Sequence, residues 1–170
     1  MMKAIILAAG QGSRIKKFHK LPKGLIKFGK YKTTILNRIC SILEKKNIKK
    51  IIVVTGFKSQ LIKKELGNRV KYIFFPNYRK TDNLQSLLAA KKELDEGFLC
   101  FFADLIFDEK IIDKIKAKKS DVCLTIDTGK VLNGTMRIKK KNNKIVDIGS
   151  HIPTKVGDGN FIGISKFSKR

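Results

Sequence analysis

The stretch that most constrains this chain is Ala4-Ile5-Ile6-Leu7-Ala8-Ala9-Gly10-Gln11-Gly12-Ser13-Arg14, followed downstream by Pro22-Lys23. The apolar run Ala4 to Leu7 reads as a buried strand. It feeds straight into a loop of small residues. Such a loop at the C-terminal end of a first strand lets backbone N–H groups close on a phosphate chain. Arg14 and Lys23 add fixed positive charge for the same anion. Two lookalikes fail. A dinucleotide fingerprint needs a further glycine at position 15, which is Ile15. A P-loop needs Gly-Lys-Ser/Thr after its spacer, and none is present. The arrangement points to a nucleoside triphosphate and to group transfer.

The rest of the chain alternates strand-like apolar runs with amphipathic segments. Strands are expected at 4–7, 51–55, 70–74, 98–103 and 122–126, and helices at 34–46, 59–66, 83–96 and 108–116. Ile35, Ile39, Ile42 and Leu43 recur at helical spacing. Leu84, Leu87, Leu88 and Leu94 are expected to form the apolar side of the 83–96 helix, which Gly97 ends. After position 126 the pattern turns to hairpin-like strands at 135–139, 145–148 and 161–165. Alternating strand and helix predicts an α/β fold with a mostly parallel central sheet. Ligands of such sheets sit at the carboxyl ends of the strands.

Asp104 falls at that edge, just beyond the apolar run Phe98–Ala103. A carboxylate there either caps a turn or holds Mg²⁺, a hard cation that takes oxygen ligands and substrate phosphates. Asp108 reads as the N-cap of the following helix. Asn83 and Ser86 sit at the start of a helix at the same edge. They either cap it or hydrogen-bond a base or ribose. Asp147 and Asp158 are the late carboxylates, and His151 reads as an exposed loop residue. No Ser/His/Asp or Cys/His arrangement is visible, which disfavours covalent catalysis.

The Leu-Ala-Ala-Gly-x-Gly-x-Arg stretch with its Pro-Lys resembles the signature of the nucleotidyltransferases that make nucleoside-diphospho sugars and alcohols. Pro76–Leu87 and Gly159–Ser168 are similar to segments of the CTP:phosphocholine cytidylyltransferase branch. The resemblance implies a Rossmann-like three-layer fold with a C-terminal β-hairpin region, and dependence on Mg²⁺. It implies Arg14 and Lys23 as catalytic residues and Asp104 as metal ligand. Leu7, Ala8, Ala9, Gly10, Gln11, Gly12, Asn83 and Ser86 would bind the nucleotide. Lys23 would stabilise the α-phosphate or the attacking phosphate, and Arg14 would grip the β- and γ-phosphates. The expected partners are an NTP, CTP favoured, and a phosphorylated small-molecule acceptor such as phosphocholine. A sugar 1-phosphate with another NTP is the alternative acceptor. Members of the family commonly bring a second metal-binding Asp from a C-terminal segment. This chain is expected to be a single domain, 1–170, lacking that segment, with Asp158 a poor stand-in. A catalytically inactive nucleotide-binding domain is therefore the competing reading.

Length and a hydrophobic content of 42% suit one domain with a real core. No apolar run is long enough to span a bilayer, and no signal peptide is visible. Cys40, Cys100 and Cys123 read as reduced core residues of a cytoplasmic protein. The formal charge of +24 suggests nucleic acid, but only 6 of the 38 basic residues are Arg and the lysines are spread through every segment. A diffuse field draws in anions without reading bases, so no specific nucleic-acid partner and no membrane is expected. A homodimer remains compatible.

Overall fold

The computed structural model describes residues 2–12, 20–79 and 83–169. Its frame is a mixed sheet. Strands β1 (Lys3–Ala8), β4 (Ile51–Thr55), β5 (Lys71–Phe74) and β6 (Phe98–Phe102) run parallel in the order β5-β4-β1-β6. The sheet continues antiparallel through β10 (Gly159–Phe167), which pairs β6, β7 (Val122–Asp127) and β8 (Arg137–Lys141). Strand β9 (Lys144–Gly149) closes a hairpin with β8. A separate two-stranded ribbon joins β2 (Lys27–Phe28) to β3 (Thr33–Thr34), a feature the apolar pattern does not signal.

β1 and β4 are buried along their whole length, as strands covered on both faces must be. Helices α1 (Ile35–Lys45), α2 (Ser59–Leu66) and α4 (Lys110–Lys116) cover one face and pack Leu36, Ile39, Ile62 and Ile112 onto Ile6, Val53 and Phe101. The short helix α3 (Asn83–Leu88) covers the other, where Leu87 and Ala90 meet Ile5, Leu7 and Cys100. Three layers result, as expected. Thr34 caps α1 by accepting the Asn37 N–H at 3.2 Å. The Asp108 carboxylate accepts the Lys110 N–H at 2.8 Å ahead of α4, the cap that its position predicts. Among the described residues no helix is long and apolar enough to cross a membrane.

One expected helix is shorter than its pattern. The run 83–96 stops being α-helical at Leu88, and a 3₁₀ turn follows at Lys91–Glu93. Leu84 and Leu88 are exposed instead of forming an apolar side, while Leu87 and Leu94 do pack on the sheet. Lys3 holds the segment that follows the break. Its side chain is fully buried in β1, and its ammonium donates to the Glu93 carbonyl at 2.7 Å and to Asp95 at 2.6 Å. A buried cation needs acceptors.

Burial pushes the Cys40 and Cys100 thiols up to about 12, so both remain protonated packing groups. Cys123 is half-buried and also free.

The acidic groups near this node are held in their charged forms. The hydrogen bond from Lys71, with Lys50 beside it, keeps the Glu93 carboxyl below the usual range, and Lys3 does the same for Asp95. A folded-state pKa below the unfolded value, ~4.3 for Glu, gives stability that is present above that value and is lost as pH falls through the folded pKa. Thermal midpoints followed from pH 6 to pH 3 should therefore fall on the acid side of about pH 4. Lys71→Met should flatten that limb while lowering the neutral midpoint.

Candidate active site

Parallel pairing sets Leu7 of β1 level with Phe102 of β6. The loops that leave the two strands consequently open side by side at the carboxyl edge. Between them lies a cleft of about 190 Å³. Leu7, Ala8, Gly10 and Gly12 form one wall, and Phe102, Ala103 and Asp104 the other. Lys23 and Gly24 enter from the turn Lys23–Leu25, Asn83 enters from the start of α3, and Leu36 and Ile62 give an apolar back.

The polar centre is one ion pair. Lys23 Nζ donates to Asp104 Oδ2 at 2.9 Å, with the two side chains 25% and 37% exposed. Both groups are therefore open to solvent. Two glycines make this approach possible. Gly12 has φ +65°, the left-handed region, and a Cβ there would stand 3.1 Å from Lys23 Cγ. The lysine stem thus lies along the bare backbone of the loop. At Gly24 a Cβ would meet Leu36 Cγ at 2.5 Å and the Ala103 carbonyl at 3.0 Å. Only glycine lets the lysine-bearing turn settle between α1 and the end of β6.

Seven of the residues singled out in the sequence meet in this cleft: Leu7, Ala8, Gly10, Gly12, Lys23, Asn83 and Asp104. Ala9 and Gln11 are not on its walls. Ala9 packs on the opposite face of the sheet, and its carbonyl accepts the Phe57 N–H at 3.0 Å. Gln11 is half-buried, and Ser86 is buried within α3. Arg14 lies outside the described residues. The late carboxylates are away from the cleft: Asp147 pairs with exposed His151 at 2.9 Å, and Asp158 accepts the Lys140 N–H at 2.6 Å. Gly24, Phe102 and Ala103 are wall residues that the motif reading passes over. The glycine directly after Pro22-Lys23 was the available signal for one of them. Phe102 carried none, because its place depends on where β6 ends.

A divalent cation fits this donor set through Asp104 alone. Among the described residues no cluster of three or more His, Cys, Asp or Glu could hold a metal. Mg²⁺ takes one or two carboxylates and completes its shell with water and substrate phosphates. A single part-exposed carboxylate facing a glycine loop meets that requirement and does not make a closed cage.

Gly24→Ala should overpack Leu36 and the Ala103 carbonyl and cost about 1–3 kcal/mol. Urea unfolding should show a lower midpoint with an unchanged slope.

Several curated proteins are similar in sequence to the chain. The CTP:phosphoglutamine cytidylyltransferase of Campylobacter jejuni is 26% identical over 98% of this chain and 73% of its own length. The UTP–glucose-1-phosphate uridylyltransferase AglF of Haloferax volcanii is 29% identical over 71% of this chain. The choline-phosphate cytidylyltransferase of Streptococcus pneumoniae is 35% identical over 58% of it. The chain spans half the length of the Haloferax protein and 43% of the streptococcal one. In fold it is similar to the inositol-1-phosphate CTP transferase from T. maritima, with a TM-score of 0.79 over 99% of this chain and 71% of that one at 19% identity. The MobA-like NTP transferase domain matches residues 4–132, a span that holds the glycine loop, Lys23 and Asp104, and the chain belongs to that family.

Proposed function

We propose that this chain is a Mg²⁺-dependent nucleotidyltransferase. It moves a nucleoside monophosphate, CMP favoured, from an NTP to a small phosphorylated acceptor of the phosphocholine kind and releases pyrophosphate. The observation that carries the reading is the Lys23–Asp104 pair at 2.9 Å, set against the bare backbone of Gly10 and Gly12 in one cleft.

The residues divide the work as follows. Loop N–H groups from Gly10 to Gly12 receive the triphosphate. Asn83, at the start of α3, offers an amide to the base or ribose. An oxygen of the acceptor phosphate attacks the α-phosphorus, forming one P–O bond as the bond to the β-phosphate breaks. The attacking oxygen is already anionic, so no general base is required. Lys23 donates to the non-bridging oxygens on which charge concentrates. Arg14, one position past Ser13, would hold the departing pyrophosphate. Asp104 would hold Mg²⁺, which supplies charge neutralisation on the phosphates when bound. The apolar back formed by Leu36 and Ile62 keeps bulk water off the α-phosphorus.

The choice of CTP is supported by the similarity to the Campylobacter and streptococcal cytidylyltransferases. The likeness to the Haloferax uridylyltransferase favours UTP with a sugar 1-phosphate as the second reading.

Pyrophosphate release with Mg²⁺ discriminates between them when each common NTP is tried against phosphocholine, phosphoethanolamine and sugar 1-phosphates. Release is expected with CTP and a phospho-alcohol, and its absence from Asp104→Ala ties it to this cleft. Lys23→Ala should lower kcat by about 10²–10³-fold, the usual loss for one transition-state donor. NTP binding without release from any pair would favour the inactive nucleotide-binding domain.

A further inference from the structure

Lys23 and Asp104 are the charged residues on the cleft walls among the described residues, and each is the other's ion-pair partner there. The proposed reaction asks both to bind something else. Asp104 has to take a divalent cation, and Lys23 has to reach a phosphate oxygen. The two cannot keep their bond and do this at the same oxygen. Lys23 Nζ already donates to Asp104 Oδ2 at 2.9 Å, and an ammonium at that distance repels a dication approaching the same carboxylate. The pair is also neutral as a unit, so it draws a free metal ion weakly.

The surroundings fix the backbone on both sides of Lys23 and leave its side chain free to turn. The Leu25 N–H donates to the Pro22 carbonyl at 2.9 Å, and the Ile26 N–H to the Lys23 carbonyl at 3.0 Å. Gly24 sits against Leu36 and the Ala103 carbonyl. The lysine stem runs along Gly12, where a Cβ would stand 3.1 Å from Cγ, 3.2 Å from Cε and 3.6 Å from Cδ. That backbone carries no side chain to block rotation of the stem. A change of side-chain rotamer therefore carries the ammonium from Asp104 toward the glycine loop, with no shift of the main chain.

We propose that Lys23 is an exchangeable counter-ion. In the nucleotide-free protein it holds Asp104 and keeps free divalent cations off the carboxylate. It lets go when a triphosphate on the glycine loop takes the ammonium. This inference rests on the reading of Asp104 as the metal ligand. A triphosphate brings the negative charge that the neutral pair lacks. With the ammonium on a phosphate oxygen, Asp104 regains its full charge and shares a cation with the phosphates. Metal and nucleotide then strengthen each other's binding, and the coupling passes through one lysine side chain.

The test uses the full chain with Mn²⁺ alone as probe, read from paramagnetic broadening of the amide signals of residues 103–105. Without nucleotide, Lys23→Met should lower the Mn²⁺ concentration that half-broadens these signals at least about fivefold. Lys23→Arg, which keeps the charge, should stay within about twofold of the parent chain. In a parallel calorimetric titration, Mn²⁺ should strengthen CTP binding to the parent chain at least about tenfold and leave CTP binding to Asp104→Asn nearly unchanged. Equal Mn²⁺ response of Lys23→Met and the parent chain would overturn the exchange. If Mn²⁺ still strengthened CTP binding through Asp104 in that case, the reading of Asp104 as metal ligand would stand. Tighter Mn²⁺ binding that survives in Lys23→Met with Asp104→Asn would also overturn it, because the metal would then sit on other groups. Equal strengthening of CTP binding in Asp104→Asn would overturn the metal-ligand reading and the exchange with it.

Discussion

The candidate site depends on the parallel register between β1 and β6. Because Leu7 stands opposite Phe102, the glycine loop and Asp104 emerge at the same height and on neighbouring strands. A shift of one residue would turn the alternating side chains to the wrong faces and carry the carboxylate away from the loop. Burial enforces the register. Ile6 and Phe101 share one core and Ile5 and Cys100 the other, so slippage would break both at once. The turn that carries Lys23 is then seated on this pair of strand ends through the contact of Gly24 with the Ala103 carbonyl. Chemistry at the cleft is in this sense a consequence of core packing on both faces of the sheet.

Scarcity of carboxylates organises the rest. With 14 acidic against 38 basic residues, some carboxylates are shared between two cations. Glu93 is shared by Lys50 and Lys71, Glu109 by Lys45 and Lys46, and Glu44 is taken by Arg69. Asp104 is the acidic residue on the cleft walls, and its partner is Lys23. Elsewhere the unpaired lysines leave a positive field that attracts anions.

The parts that were legible from the residues are those with a local physical cause. A strand followed by Gly10 and Gly12 announces a close backbone approach, and Pro22-Lys23 and Asp104 announce charge near it. The parallel strands, α1, α2 and α4 follow from hydrophobic period. Other parts had no local cause. The helix expected over 83–96 ends at Leu88, and the segment after it is tied to Lys3, far away in sequence, through the Glu93 carbonyl. Ala9 carries the same small-residue signature as Ala8 but serves the opposite face of the sheet. The pairing of β10 with β6, β7 and β8 depends on partners that no short window of sequence contains.

The sequence by itself determined the class of fold and the chemical types at the cleft, because periodicity and glycine placement act through neighbouring residues. Only the tertiary structure decided which residues meet. Lys23 and Asp104 are 81 positions apart, and their 2.9 Å contact exists because strand register and the bare Gly24 bring the two loops together.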